Sequence, residues 1–116
     1  MDRGWVGIDR PIAAGDAPVI VWHVYSGVMV EQRDRATSNR FMTHWREIDD
    51  EAWISTRERK PTKEDADQYD CVISRNRWGD VAMAGWHRFE HETDLTHWQR
   101  TPPPPHDFRE LRNITR

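Results

Sequence analysis

A chain of 116 residues with a formal charge of -3 has room for one ordinary domain and lacks the strongly basic balance of a general nucleic-acid binder. The apolar share of 36% and mean hydropathy of -0.96 are low for a folded protein. Seven tryptophans compensate, since each buries a large area, and a disordered chain would be poor in such residues.

The chain falls into two degenerate copies of one pattern. Copy one opens on Trp5-Val6, passes Pro11, and reaches the β-branched triplet Val19-Ile20-Val21. Such a triplet predicts the first arm of a hairpin, with Ser26-Gly27 at its turn and Val28-Met29-Val30 as the return. A further short strand, entered through Phe41-Met42, closes the copy on Thr43-His44-Trp45. The acidic cluster Glu47, Asp49, Asp50 and Glu51 then reads as a solvated linker, too short to imitate a DNA backbone.

Copy two opens on Trp53-Ile54 and passes Pro61. Thr62-Lys63-Glu64-Asp65 resembles a cap followed by acidic first-turn residues, which predicts a helical turn over 62–68. The triplet Cys71-Val72-Ile73 leads to a turn at Gly79-Asp80 and a return through Val81-Ala82-Met83-Ala84. Trp86 to Glu92 reads as strand or loop. Asp94-Leu95 then enters the closing Thr96-His97-Trp98. Triplet to glycine spans 8 positions in each copy, and glycine to threonine spans 16 in the first and 17 in the second. On that alignment Asp80 is an extra residue, either a bulge or a longer turn. Prolines 102–105 predict an extended segment, and Asp107 could cap a short helix carrying Phe108 and Leu111.

These elements predict a mainly β fold (α+β with minor helix): two small antiparallel β units related as pseudo-repeats and packed into one domain. Unit one covers 1–48, unit two 49–105, and 106–116 form a tail or short helix. Cys71 is the only cysteine, so neither an intramolecular disulfide nor a cysteine-based zinc site is possible, and a buried inert thiol is expected. No secretory leader is apparent and no apolar run approaches the roughly 20 residues of a membrane span. A cytoplasmic location is expected.

Trp53-Ile54-Ser55, Arg57-Glu58-Arg59-Lys60-Pro61, Cys71-Val72-Ile73 and Thr96-His97-Trp98 followed by prolines resemble the phage and prophage domain of unknown function 551. Its members read W-I-x-V-x-E-R-L-P near the start and T-H-W-M-P-L-P near the end. The likeness covers about residues 53–105, and copy one departs from it at Asp9-Arg10-Pro11 and at Arg46-Glu47-Ile48. The resemblance implies a bacteriophage origin, brings no catalytic residues, and suggests by analogy a small inhibitor of a host defence complex.

His44 and His97 could in principle ligate a metal, but their recurrence beside a repeated tryptophan points to a structural hydrogen bond. His87 and His91 have zinc-ligand spacing without the general-base glutamate of the zinc-protease pattern. No nucleophile elbow, phosphate-cradling loop or dinucleotide fingerprint appears, so no enzyme, cofactor, catalytic residue or metal site is expected.

Trp5 with Trp53, and Trp45 with Trp98, recur and belong to the architecture. Trp22, Trp78 and Trp86 do not recur, aligning where they can with serines 74 and 26. With Arg75, Arg77 and Arg88 nearby they are the candidate partner-binding residues, because tryptophan and arginine dominate contact energetics. The expected function is a non-enzymatic, phage-encoded protein that inhibits a host defence complex, protein or ribonucleoprotein, such as an anti-CRISPR protein. The alternatives are a small-molecule or nucleotide-sequestering module and, behind it, a metal-dependent hydrolase.

Overall fold

The structure is a computed structural model that describes residues 4–38 and 40–105. It is mainly β, with eight strands in two four-stranded antiparallel sheets. The first sheet comprises β1 (Val6–Gly7), β2 (Val19–His23), β3 (Gly27–Glu31) and β4 (Met42–Arg46), in the order β1-β4-β2-β3. The second comprises β5 (Ile54–Ser55), β6 (Cys71–Asn76), β7 (Val81–Gly85) and β8 (Leu95–Gln99), in the order β5-β8-β6-β7. The two sheets therefore share one topology. No α-helix occurs among the described residues; the helical content is three 3-10 turns at Arg33–Arg35, Lys63–Asp65 and Trp86–Glu90. The last of these contains His87, where the sequence reads as strand or loop.

Register defines the repeat. Val21 faces Trp45 and Trp22 faces His44; Ser74 faces Trp98 and Arg75 faces His97. A bulge follows at Trp22/His23 in one sheet and at Arg75/Asn76 in the other. A shift of 53 positions thus carries β2, β3 and β4 onto β6, β7 and β8. This corrects the alignment drawn from the apolar triplets. Val19-Ile20-Val21 corresponds to Val72-Ile73-Ser74, Gly27 corresponds to Asp80, and the turns have equal length. Composition hid the match because Ser74 is a polar residue at a buried strand position, where its hydroxyl donates to the Ala82 carbonyl at 2.8 Å.

Each unit has its own core. In the first, Val19, Val21, Met42 and Trp45 pack with Ala36, and Val6, Ile8, Ile12 and Met29 cover them. In the second, Val72, Ala84, Leu95 and Trp98 pack with Phe89, flanked by Ile54 and Ala66. Residues alternate along a strand, so these belong to one face of each sheet. Ile20 and Trp22, and in the other sheet Ile73 and Arg75, lie on the opposite face.

The units divide after Ile48: one takes the chain up to that point together with residues 102–105, the other Asp49–Thr101. The proline segment is without regular structure, and its role is local to the first unit. Trp5 Nε1 donates to the Pro103 carbonyl at 2.7 Å, and Pro105 is fully buried. Residues 106–116, including the helix expected after Asp107, lie outside the described residues.

Both units pin the residue two beyond the closing tryptophan with an ion pair, and the charges are reversed. In the first, Glu47 receives a bidentate grip from Arg33, at 2.8 and 2.6 Å, while Arg33 also donates to the carbonyls of Ala13 and Ala17. In the second, Arg100 grips Asp65 at 2.6 and 3.0 Å. Asp65 also accepts from Arg59, and from the Thr62 backbone N–H at 2.8 Å, the reach-back half of a capping box. The predicted helical turn at 62–68 is this single 3-10 turn.

Candidate functional site

The six candidate residues separate according to what each side chain touches. Trp22 is 5% exposed and meets the Trp5 ring edge-on at 6.2 Å. Arg75 occupies the same repeat position, and its guanidinium lies 4.9 Å from the ring centroid of Trp53, the counterpart of Trp5. Both side chains are therefore spent on the tryptophan that opens their unit. This corrects the reading of Trp22 as a contact residue: it is a buried aromatic anchor. Trp86 is half-buried at the start of a 3-10 turn, edge-on to His87 at 5.9 Å. Arg88 is exposed and closed in a pair with Glu92 at 2.8 Å.

Arg77 and Trp78 differ from these four. They lie in the turn between β6 and β7, and Trp78 is 64% exposed. The Arg77 guanidinium stacks on the indole at 4.5 Å, and its Nε sits 3.1 Å from Asp94 Oδ1. The turn beneath is tightly tied. Asn76 Oδ1 accepts the backbone N–H groups of Trp78 and Asp80 at 3.0 and 2.9 Å, and Gly79 adopts a positive φ of 87° with open space around it. A large apolar side chain is thus held out in solvent on a fixed support.

The equivalent turn of the first unit carries Tyr25, 61% exposed, at the position of Trp78. Its support is built alike, with His23 in place of Asn76: His23 Nδ1 accepts the N–H groups of Tyr25 and Ser26, each at 3.2 Å. Around it His23, Tyr25 and Phe41 form a ring cluster, with centroids 5.2 to 6.1 Å apart. Sequence reasoning missed this group. The signal lay in the Thr-His-Trp spacing, which sets the shift of 53 and aligns Tyr25 with Trp78; the glycines set a shift of 52 and align Trp78 with Ser26.

The two histidines of the closing motif are tied locally, Nδ1 lying 2.8 Å from Thr43 Oγ1 for His44 and 2.9 Å from Thr96 Oγ1 for His97. Burial, and secondarily the Arg75 charge, push the His97 pKa below the ordinary imidazole value. Among the described residues no group of three or more His, Cys, Asp or Glu side chains could hold a metal ion. Cys71 is half-buried; its thiol pKa is raised by burial and by the nearby Asp67 and Asp70. No described helix is long and apolar enough to cross a membrane.

The fold and these turns define a duplicated β protein that displays one large aromatic side chain from the same turn of each unit. No protein-family model matches the chain, and neither a curated protein nor a solved structure is found similar to it.

Proposed function

We propose that this chain is a non-catalytic binding protein that docks on a protein partner through the Arg77–Trp78 turn. The observation that carries this reading is Trp78 itself, the most exposed large apolar side chain described, held on a turn whose backbone is already ordered. Tryptophan and arginine are among the side chains that contribute most at protein interfaces. Because the turn is preorganised, little conformational entropy remains to be lost on contact. The resemblance of residues 53–105 to the phage domain supports a narrower form of the proposal, in which the partner is a host defence complex such as a CRISPR effector, met in the bacterial cytoplasm.

The test is affinity capture from bacterial lysate with the tagged chain and with an Arg77→Ala/Trp78→Ala variant, read by mass spectrometry. A stoichiometric complex on the native chain should be lost in the variant. Loss of a hot spot worth about 2 kcal/mol weakens binding roughly 30-fold. Equal capture by both proteins would reject the turn as the contact element. Recovery of a bound small molecule and no protein would move the assignment to the ligand-sequestering alternative.

A further inference from the structure

We infer that the first unit carries a second contact site, the His23–Tyr25–Phe41 ring cluster with Arg40, and that it takes a carboxylate-bearing segment of a protein partner. The inference rests on the reading of Trp78 as a contact residue and extends it to the equivalent turn, which shares its position, exposure and backbone support.

The second unit shows what such a turn satisfies internally. Beside Trp78, Asp94 supplies a carboxylate to Arg77 at 3.1 Å. The same shift places Phe41 where Asp94 stands: Val24 N–H donates to the Phe41 carbonyl just as Arg77 N–H donates to that of Asp94. The first unit has therefore exchanged the acid for a third ring. It nonetheless keeps a guanidinium there, with Arg40 lying 5.0 Å from the Phe41 centroid. Residues 23–28 and 40–43 contain no Asp or Glu, and none of the described ion pairs includes Arg40.

Covering this turn with a partner would remove water from the guanidinium. An arginine buried without a counter-charge is strongly unfavourable, whereas a carboxylate gives it short charge-assisted hydrogen bonds. The rings supply the apolar contact on the same face. An acidic segment with an apolar residue beside its carboxylates meets both requirements. A nucleic-acid strand would also offer an anion and a stacking surface, but residues 23–28 and 40–43 supply a single guanidinium rather than the basic groove that tracks a phosphate backbone.

The experiment is a titration of the full 15N-labelled chain, followed by NMR, with a Glu- and Asp-rich peptide carrying a central leucine. Its Gln/Asn counterpart and an oligothymidine strand are titrated in parallel. The expected result is movement of the amide signals at 23–26 and 40–41 with the acidic peptide, at least tenfold weaker with the amide counterpart and with Arg40→Gln. Tyr25→Ala, also at an exposed position, should weaken it independently. No movement at the first turn overturns the inference, as does a stronger response to oligothymidine. Movement confined to 76–80 rejects the second site and leaves the Trp78 reading standing. Movement confined to 23–26 and 40–41, with capture indifferent to the Trp78 variant, does the reverse.

Discussion

Trp98 is fully buried, donates Nε1 to the Arg59 carbonyl at 2.8 Å, and carries the Arg59 guanidinium 4.8 Å from its ring centroid. Trp45, its counterpart, is also buried, yet its Nε1 has no hydrogen-bond partner among the described residues. The two indoles thus predict different responses to one substitution. Trp98→Phe loses a hydrogen bond and strands the Arg59 carbonyl, whereas Trp45→Phe removes a donor that had nothing to lose. Trp98→Phe should be more destabilising by about 1–2 kcal/mol, measurable by urea denaturation. Asp65 is the other buried commitment. Hydrogen bonds from Arg59, and then from the Thr62 backbone and Arg100, hold its carboxyl well below the usual carboxylate range against the opposing cost of burial. Its stabilisation is present above the unfolded pKa and is lost as pH falls below about 4. Asp65→Asn should cost roughly 2–3 kcal/mol near neutral pH, below the figure for a fully buried pair because both arginines reach solvent. The same variant should flatten the acid limb of the stability curve. His97 acts in a higher pH window. Its folded pKa is depressed, so the unfolded chain takes up the proton first and stability falls as pH drops below about 6.5. In His97→Asn the stability difference between pH 7 and pH 5.5 should shrink relative to the native chain.

At the scale of the element, the two turns are alternative solutions to one problem. Each must satisfy the N–H groups of a tight loop; one uses an amide oxygen and the other an imidazole nitrogen. Asn76→Ala removes the one oxygen that accepts the N–H groups of Trp78 and Asp80 and should lower stability by about 1–2 kcal/mol. Asn76→His should restore part of it, since histidine serves at the equivalent position; thermal unfolding of the two variants checks the order. Strand existence was readable from β-branched runs, return arms and the Thr-His-Trp closures, and the two-sheet repeat followed from their order. The alignment within the repeat was not. Glycine is demanded by positive φ rather than by repeat position, and here it falls at neighbouring places, Gly27 with φ 76° and Gly79 with φ 87°. Matching glycine to glycine shifted Trp22 onto Ser74 and concealed its true counterpart, Arg75. The exposed tip at Trp78 was within the candidate set, but its twin at Tyr25 depends on register, which the Thr-His-Trp spacing carries and the glycines do not.

For the molecule as a whole, the units are unequal in what closes them. The second is contained in one continuous stretch, Asp49–Thr101. The first needs the chain to return after the second unit is complete: Trp5, its opening tryptophan, gives its indole N–H to Pro103, and Pro105 is fully buried. Proline suits this role because it has no backbone N–H to satisfy and its φ is already fixed, so ordering it costs less entropy than ordering other residues. Ending the chain after Thr101 would leave the Trp5 indole N–H without its acceptor and expose apolar surface that Pro105 shares. The loss should amount to about 2–4 kcal/mol, combining a buried hydrogen bond with lost apolar burial. It should also be local. Hydrogen exchange of the shortened chain is expected to show faster exchange in β1 to β4, while β6 to β8, whose contacts lie within 49–101, keep their protection. Uniform loss of protection in both sheets would mean that the two units unfold as one cooperative block, and that the returning proline segment supports both.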